Sequence, residues 1–299
     1  MPTVDRTAPG RLELPADELR AIATDVRRDI LTMIANANSG HTGGSLSACD
    51  FLTAILFHAA TIDPRNPSFD NRDFWNVSNA HISPLIYSVM AERGYFPLCE
   101  LLGFRQLKGN LQGHPSAHDT PGIEASAGSL GQGLSVAIGV AMASRLDKHP
   151  RRVFCCLGDG ELQEGSIWEA ALSAAHYHCD NLTAIVDYNG AQIDGRVEDI
   201  IGIAPLAEKW ESFNWHVLEI DGHDMDQILD ALREADRLTQ QPTVILAHTL
   251  MGKGWREIED DYRWHGKPPT VDQANTALMQ LGTSYDEWRE RLAGSEVTA

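Results

Sequence analysis

The sequence predicts an α/β fold in which a parallel sheet carries helices on both faces. From residue 152 onward, short runs rich in β-branched and aromatic residues alternate with longer segments whose apolar residues have helical spacing. That alternation is typical of parallel strands joined by crossover helices. No internal repeat or low-complexity linker interrupts the 299 residues. We therefore expect one domain over 15–299, preceded by a flexible tail over 1–14.

The individual elements follow from the spacing of apolar residues along the chain. Helices are predicted over 17–37, 46–60, 129–148, 166–178 and 225–238. Strands are predicted over 152–159, 182–189, 215–222 and 242–250. Right-handed crossovers bring the carboxyl ends of parallel strands to one edge of the sheet, where open α/β sheets bind ligands. Four polar residues are expected at or near that edge: Asp159, Asn189, Asp221 and His248.

Charge and composition exclude several classes of partner. The net charge of −18 argues against binding to nucleic acid or an anionic membrane, since both need clustered Lys and Arg. The five cysteines are odd in number and include no C-x-x-C pair, which favours free thiols in a reducing cytosol. The longest apolar run, LSVAIGVAMA at 134–143, is too short to span a membrane. We expect a soluble, cytoplasmic protein.

A turn of Gly158, Asp159 and Gly160 follows one predicted strand, and Asn189 ends the next strand. Consecutive strand ends lie close together in a βαβ unit, so both side chains can reach one ion. Carboxylate, amide and carbonyl oxygens suit Mg²⁺ or Ca²⁺ better than zinc. The glycine N–H groups and the following helix N-terminus can receive a phosphate. From these residues alone, an N-cap aspartate and a turn asparagine explain the pattern equally well.

The longer segment around this turn resembles the thiamine diphosphate motif of transketolases. In that family G-D-G is followed by an asparagine at the end of the next strand, as in GDGELQEGSIWEAALSAAHYHCDNLTAIVDYNGAQIDG. Four other blocks resemble family segments in the family's order, and they lie at 37–56 (with SGHTGG), 77–95 (with SNAH), 112–143 (with GHP and GSLGQG) and 247–269 (with MGKGW and WHGKPP). The resemblance implies the diphosphate-binding (PP) domain fold of thiamine diphosphate enzymes.

The resemblance also implies a cofactor and a metal. Asp159, Asn189 and the carbonyl of Ala191 would hold Mg²⁺, with Ca²⁺ or Mn²⁺ as alternatives. The residues expected to contact thiamine diphosphate are His81, Gly128, Leu130, Gly158, Gly160, Glu164, Glu169, Asn189, Ile193 and His265.

Catalytic roles are implied for three histidines and one glutamate. His41 and His114 would face the reacting hydroxyls of the sugar, and His265 would share the proton handling. Ketol transfer moves protons near neutral pH, where histidine changes its charge state. Glu164, together with Glu169, would belong to a carboxylate network at a subunit interface, where clustered carboxylates share protons. The alternative for the two glutamates is a solvated first helical turn favoured by the helix dipole.

The implied function is that of the N-terminal subunit of a split transketolase. The family's aminopyrimidine-binding domain, with the glutamate that activates the cofactor, would come from a C-terminal partner subunit, giving an α2β2 heterotetramer. The assembly would transfer a two-carbon ketol unit from a ketose or ketose phosphate donor to an aldose acceptor. Departures from the family pattern are Thr42, Ala80 and Ile82, and bulk at Ile82 is expected to narrow the donor pocket.

Other thiamine-related classes stay open. The α subunit of a 2-oxo-acid dehydrogenase shares G-D-G and a two-chain layout, but it would lack the GHP, GSLGQG and WHGKP blocks. A deoxyxylulose-phosphate synthase relative would keep both halves in one chain. The alternative from a different class is a non-catalytic domain that keeps the fold and binds thiamine diphosphate. The histidines argue against it, because drift would first remove side chains needed only for proton transfer.

Overall fold

The computed structural model describes residues 5–107 and 109–295. Its helices are Ala16–Ala37 (α1), Thr42–Ser47 (α2), Cys49–Ala54 (α3), Ser83–Arg93 (α4), Gly133–Leu146 (α5), Gly165–His176 (α6), Val197–Ile201 (α7), Leu206–Ser212 (α8), Met225–Arg237 (α9), Val271–Gln280 (α10) and Tyr285–Gly294 (α11). Its strands are Phe74–Val77 (β1), Val153–Gly158 (β2), Leu182–Tyr188 (β3), Ala191–Gln192 (β4), Gly195–Arg196 (β5), His216–Asp221 (β6) and Thr243–His248 (β7).

Five strands form a wholly parallel sheet in the order β1-β2-β3-β7-β6. Strands β4 and β5 form a separate antiparallel hairpin directly after β3. Successive strands of the main sheet are joined by crossover connections, because parallel strands cannot be joined by a tight turn, and the connection from β3 to β6 passes the position of β7. The predicted parallel sheet is confirmed, and all carboxyl ends lie at one edge.

Alternate residues of the sheet enter two separate hydrophobic cores. Phe154 and Cys156 of β2 belong to a core that includes residues of α1, α3, α4 and α9. Their neighbours Val153, Cys155 and Leu157 belong to a second core with α5, α6 and α8. Since side chains alternate between the faces of a strand, the sheet is buried on both faces. The prediction of helices on both faces is confirmed.

The first half of the chain departs most from the predicted elements. Strand β1 was not predicted, because its four residues, FWNV, are too few to show a period. The predicted helix over 46–60 is divided into the end of α2, all of α3 and a π-helical turn at Ile55–Ala59. The predicted helix over 129–148 begins only at Gly133, because residues 129–132 form a loop.

The described part of the expected flexible tail over 1–14 makes several contacts with the rest of the chain. The amide of Gly10 donates to the carbonyl of Ile62 at 2.7 Å, and Leu14 is buried in the core. Arg93, which is fully buried, donates to the backbone carbonyls of Arg6, Ala8 and Gly10. A buried guanidinium needs several acceptors, and this segment supplies them. Residues 1–4 lie outside the described residues.

Two further sequence expectations bear on the environment of the protein. All five cysteines are free thiols, and all but Cys99 are buried. Burial raises the pKa of the Cys49 thiol to about 12, so this group stays protonated and unreactive. Among the described helices, none combines the length and the apolar character that crossing a bilayer would need.

Candidate active site

A cavity of about 370 Å³ opens at the carboxyl edge of the sheet. The loops after β1, β2 and β3, the β4–β5 hairpin and the segments around residues 41 and 265 all contribute to it. Its lining residues are His41, Gly44, Asn79, His81, Gly128, Leu130, Gly158, Asp159, Gly160, Glu161, Gln163, Glu164, Asp187, Asn189, Ala191, Gln192, Ile193, Asp194 and His265. The edge predicted from strand order is therefore where the cavity lies.

Most, but not all, of the predicted site residues line this cavity. His114 lies outside the lining and packs on Gly128, where an added Cβ would be 3.2 Å from its Cδ2 atom. Glu169 lies outside it too, on the exposed face of α6. Asp221 and His248 end β6 and β7 at the same edge, but neither side chain lines the cavity.

Asp159 and Asn189 both line the cavity, at the ends of the neighbouring strands β2 and β3. Asp159 is only 1% exposed, and its carboxylate accepts from the amide of Gly160 at 2.7 Å and from that of Gly190 at 2.5 Å. The second contact joins the turn after β2 to the turn after β3. The side-chain oxygen of Asn189 accepts from the amide of Ala191 at 3.0 Å. Asp159 thus also caps the short 3₁₀ turn that follows it, as the alternative interpretation proposed.

The electrostatics of this corner fit a bound cation. Burial, and then the neighbouring Asp187 carboxylate, raise the pKa of Asp159 to about 8. Burial also raises the pKa of Asp187. No Lys or Arg side chain is among the described residues that line the cavity. Two buried carboxylates without a neighbouring basic side chain are the environment in which a divalent cation would stabilise the ionised forms.

The donor set fits an ion such as Mg²⁺ that takes some of its ligands from the protein and the others from a phosphate and water. Among residues 5–107 and 109–295, no group of three or more His, Cys, Asp or Glu side chains is arranged to hold a metal. Asp159, Asn189 and a backbone carbonyl would therefore supply only part of the coordination shell of such an ion. Mg²⁺ sites of this kind complete their shell with water and substrate or cofactor phosphates. Gly160 allows the β4–β5 hairpin to pack closely on the turn, since an added Cβ would lie 2.8 Å from the Cβ of Gln192.

Three of the histidines that line the cavity form one cluster. The ring centroids of His41 and His81 lie 5.0 Å apart, those of His81 and His265 lie 4.9 Å apart, and those of His41 and His265 lie 5.6 Å apart. Burial lowers the pKa of His41 and of His265 to about 4, and it lowers that of His81 well below its usual range. All three imidazoles are therefore neutral at pH 7, where each can accept a proton or a hydrogen bond.

Comparison with known proteins decides the family. A model of the family described as "Transketolase, thiamine diphosphate binding domain" matches residues 16–290, which is most of the chain. The chain belongs to the transketolase family.

Two relatives in this family are about as long as the present chain. The "6-deoxy-6-sulfo-D-fructose transketolase subunit SqwG" of Clostridium sp. (strain MSTE9) is 40% identical over 265 residues, which cover 88% of this chain and 96% of that protein. A subunit of the apulose-4-phosphate transketolase of Actinobacillus succinogenes is 40% identical over 269 residues, which cover 90% of this chain and 97% of that protein.

Other transketolases are longer. The crystal structure of the Campylobacter jejuni transketolase superposes with a TM-score of 0.85 at 32% identity, covering 94% of this chain but 46% of that one. The present transketolase chain thus matches the separate subunits nearly end to end and the longer enzymes over less than half their length.

Two carboxylates that organise this transketolase site were missed by sequence reasoning. Asp187 lies beneath the cavity and accepts hydrogen bonds from Ser47 at 2.6 Å, Thr249 at 2.5 Å and the Asn189 amide nitrogen at 2.9 Å. Because the Asn189 nitrogen is held there, its oxygen is the atom left to face the loop of Ala191. The sequence D-Y-N at the end of β3 contains a signal for Asp187, because this carboxylate precedes the predicted site residue Asn189 by two positions.

Glu161 is the second missed carboxylate. It is buried, and it accepts from the hydroxyl of Ser78, the amide of Gly131 at 2.8 Å and the amide of Gly158 at 3.2 Å. These three donors belong to the SNAH, GSLGQG and GDG blocks, so one side chain joins three separate blocks of the motif. Sequence spacing gave no signal for this, because Glu161 stands 83 residues from Ser78.

Two departures from the transketolase pattern receive structural explanations. Thr42 is fully buried and donates to the carbonyl of Lys267 at 2.8 Å, which ties the segment of His41 to that of His265. Ile82 is 1% exposed and does not line the cavity; an added Cβ at Gly44 would lie 3.0 Å from its Cγ2 atom. The expectation that Ile82 narrows the donor pocket is therefore wrong in its direct form, because this side chain packs behind the cavity wall.

Proposed function

We propose that this chain is the N-terminal subunit of a two-chain transketolase, which transfers a two-carbon ketol unit from a ketose donor to an aldose acceptor. The observation that carries the proposal is the end-to-end match to relatives named as transketolase subunits. The GHP, GSLGQG and WHGKP blocks favour it over a 2-oxo-acid dehydrogenase α subunit.

The partner is a C-terminal subunit that carries the aminopyrimidine-binding domain, and we propose an α2β2 assembly. The exposed surface of the adjacent helices α5 and α6 supports a partner at this side of the cavity. Val136 of α5 is 43% exposed and Leu172 of α6 is 59% exposed, next to the exposed carboxylates Glu164 and Glu169. Apolar side chains in such a position are typical of interaction surfaces. Glu164 and Glu169 would join the partner's carboxylates there.

The cofactor site follows from the same geometry. Asp159, Asn189 and the carbonyl of Ala191 would hold Mg²⁺, or Ca²⁺ or Mn²⁺, and the cation would stabilise both buried carboxylates and the diphosphate. The diphosphate would lie between the ion, the backbone of the turn that holds Gly158 and Gly160, and the histidines His81 and His265. Gly128, Leu130 and Ile193 would pack against the rings of the cofactor. Ile193 is 63% exposed, and contact with a cofactor ring and the partner chain would bury this apolar side chain.

Thiamine diphosphate, when bound, supplies the carbanion chemistry that breaks and forms the bond next to a ketone. The residues of this chain bind the cofactor, exclude water from its diphosphate and move protons. Neutral His41 and His265 can take the proton from a sugar hydroxyl when the carbon–carbon bond breaks, and can return it to the acceptor product. His114, which packs on Gly128, would orient a second hydroxyl.

The substrates are proposed only as a class, a ketose phosphate or a related sugar with an anionic group. Two relatives with the same 40% identity are named for different substrates, a sulfosugar and apulose 4-phosphate, so similarity does not choose between them. We also propose a cytoplasmic location, supported by five free thiols.

The test is affinity purification of the tagged chain from its native cell extract with thiamine diphosphate and Mg²⁺. We expect a second chain of transketolase C-terminal type in equal amount, and ketol transfer by that complex. Leu172→Glu should abolish co-purification, whereas Met279→Glu, on an equally exposed apolar residue of α10, should not. Recovery of this chain alone, with cofactor bound and no ketol transfer, would instead support the non-catalytic binding domain.

A further inference from the structure

One arginine contacts both chain segments that carry the histidines predicted to face the sugar. The Nη1 atom of Arg105 donates to the hydroxyl of Ser39 at 2.8 Å, and its Nη2 atom donates to the carbonyl of Gly113 at 3.3 Å. Ser39 precedes His41 by two residues, and Gly113 directly precedes His114. A single guanidinium therefore joins two segments that are distant in sequence.

The packing around Arg105 holds its side chain between these segments. A Cβ added at Gly113 would lie 3.0 Å from the Nε atom of Arg105 and 3.3 Å from its Cζ atom, so the absence of a side chain there allows the guanidinium to come this close. The neighbouring Phe104 is buried and packs close to the other segment, since a Cβ at Gly40 would lie 3.4 Å from its Cε1 atom. The guanidinium lies over the Phe104 ring, with Cζ 5.2 Å from the centroid.

The acceptor at Gly113 is also fixed by helix α4. Its carbonyl accepts from the hydroxyl of Ser83 at 2.7 Å, and the carbonyl of Gln112 accepts from the hydroxyl of Tyr87 at 2.9 Å. Both donors belong to α4. These two anchors do not depend on Arg105, so we expect a substitution of Arg105 to loosen the link between the two segments without unfolding the loop.

The backbone of Arg105 has an uncommon conformation. Its φ is +55°, in the left-handed region that residues with long side chains rarely adopt. Its amide donates to the carbonyl of Leu111 at 2.9 Å, which brings the chain back to Arg105 just before Gly113. Glycine would adopt this φ more readily, so the contacts of the side chain, and not the backbone, favour arginine at this position.

Arg105 also supplies positive charge near both histidines. Burial lowers the pKa of Arg105, and among the described residues no carboxylate opposes this effect. Burial, then His265, then Arg105 lower the pKa of His41, and burial followed by Arg105 lowers that of His114. The imidazoles of His81 and His265 pack against His41 but are neutral at pH 7. The charge of Arg105 therefore helps to keep His41 and His114 neutral.

We propose that Arg105 is a positioning residue, which fixes His41 and His114 relative to each other in the assembled transketolase. The inference rests on the proposed function, because the two histidines have their roles there. Arg105 is not among the residues that line the cavity, so it acts through the histidines. Because its planar fork holds both segments at once, the two imidazoles would be placed to reach hydroxyls of the same sugar.

The first test needs neither the partner subunit nor ketol transfer. The Hε1 signals of His41 and His114 in the full-length chain, assigned with His41→Gln and His114→Gln, would be followed by NMR from about pH 5 to 8. In Arg105→Met we expect the titration midpoint of His114 to move to higher pH, because a nearby positive charge is lost, and the His41 signal to move at neutral pH.

Arg151→Met is the matched control for this comparison. Arg151 is also half-buried and donates to two backbone carbonyls, but it directly precedes β2 at the opposite edge of the sheet. Its replacement should change neither histidine signal.

The second test is ketol transfer by the complex with the partner subunit. Arg105→Met should lower kcat/KM at least about tenfold, since a displacement of ~1 Å can cost about 100-fold. Arg105→Lys keeps the charge and should retain the His114 midpoint, but one ammonium group lacks the fork for both acceptors, so kcat/KM should still fall. Arg105→Gly, which suits the φ of +55°, replaces Arg105→Met if that chain does not fold.

Unchanged His41 and His114 signals in Arg105→Met would overturn the proposal, as would an Arg105→Met or Arg105→Lys complex as active as the unsubstituted one. If the unsubstituted complex transfers no ketol unit, the proposed function fails, and the NMR comparison still decides whether Arg105 positions the two histidines.

Discussion

The amide nitrogen of Asn189 donates to the carboxylate of Asp187 at 2.9 Å, two residues earlier on the same strand end. Ser47 and Thr249 hold that carboxylate from two other segments, so its position does not depend on the Asn189 turn. Asp187 therefore orients the side chain of Asn189, which is a proposed metal ligand. Partners of this kind set the direction and basicity of metal ligands.

Asp187→Asn should weaken Mg²⁺-dependent binding of thiamine diphosphate about 10- to 100-fold, the usual cost of losing a group that orients a metal ligand. The change allows the Asn189 amide to turn and removes a negative charge near the ion. Mg²⁺ titration monitored by cofactor binding would measure it. Thr249→Val, which removes a donor to the other carboxylate oxygen, should cause a smaller loss. Equal Mg²⁺ affinity in a folded Asp187→Asn variant would disprove this role.

Glu161→Gln should lower the free energy of unfolding by about 1–3 kcal/mol, because one buried N–H donor would then face an amide NH₂. The donors at risk are the amides of Gly131 and Gly158, one on each carboxylate oxygen. Since they belong to two cofactor-binding blocks, cofactor affinity should fall together with stability. Denaturant unfolding measures the first effect, and equilibrium dialysis measures the second.

Glu164→Gln is the matched control for that substitution. Glu164 lines the same cavity but is exposed, and surface changes usually alter stability by no more than about 0.5 kcal/mol. A Glu164→Gln chain as unstable as Glu161→Gln would show that the buried hydrogen bonds are not the cause.

The histidine cluster predicts a loss of stability in acid. The folded-state pKa of His265 is about 4, below the usual 6.5, so between these values the unfolded chain binds a proton that the folded chain does not. This contribution to stability is complete above pH 6.5 and decreases as the pH falls to 4, by at most about 1.4 kcal/mol per pH unit. Unfolding measured at about pH 7.5, 6 and 5 should show a shallower decline in His265→Gln. His118→Gln, at an exposed loop histidine, should retain the original decline.

Replacement of glycine by alanine is expected to have opposite effects on stability at Gly131 and at Gly139. Gly131 has a φ of +83°, and a Cβ there would lie 2.5 Å from the Ser166 hydroxyl, so Gly131→Ala should destabilise the chain by about 1–3 kcal/mol. Gly139, in the exposed face of α5, has no atom within 4 Å of such a Cβ. Gly139→Ala should therefore raise the free energy of unfolding by about 0.5–1 kcal/mol, as alanine favours helix. Thermal unfolding of both variants checks the contrast, and a destabilised Gly139→Ala chain would contradict it.

Local patterns predicted the second half of the fold well. Strands β2, β3, β6 and β7 and helices α6 and α9 lie close to their predicted ranges, because the strands are short β-rich runs and the helices have apolar residues at helical spacing. Strand β1 could not be predicted, because a strand of four residues has no measurable period. Only its pairing with β2 defines it. The contacts of residues 5–14 could not be predicted from the local sequence, because they are made by backbone carbonyls that accept hydrogen bonds from the distant Arg93.

The sequence by itself determined the parallel α/β class, the edge of the sheet that carries the site, and the position of Asp159 and Asn189 at that edge. These follow from local spacing and from the fixed handedness of crossovers. Only the tertiary structure decided which residues support that site. Glu161 and Asp187 act through contacts with Ser78 and Ser47 that span 83 and 140 residues. Such contacts arise from packing, which local sequence patterns do not encode.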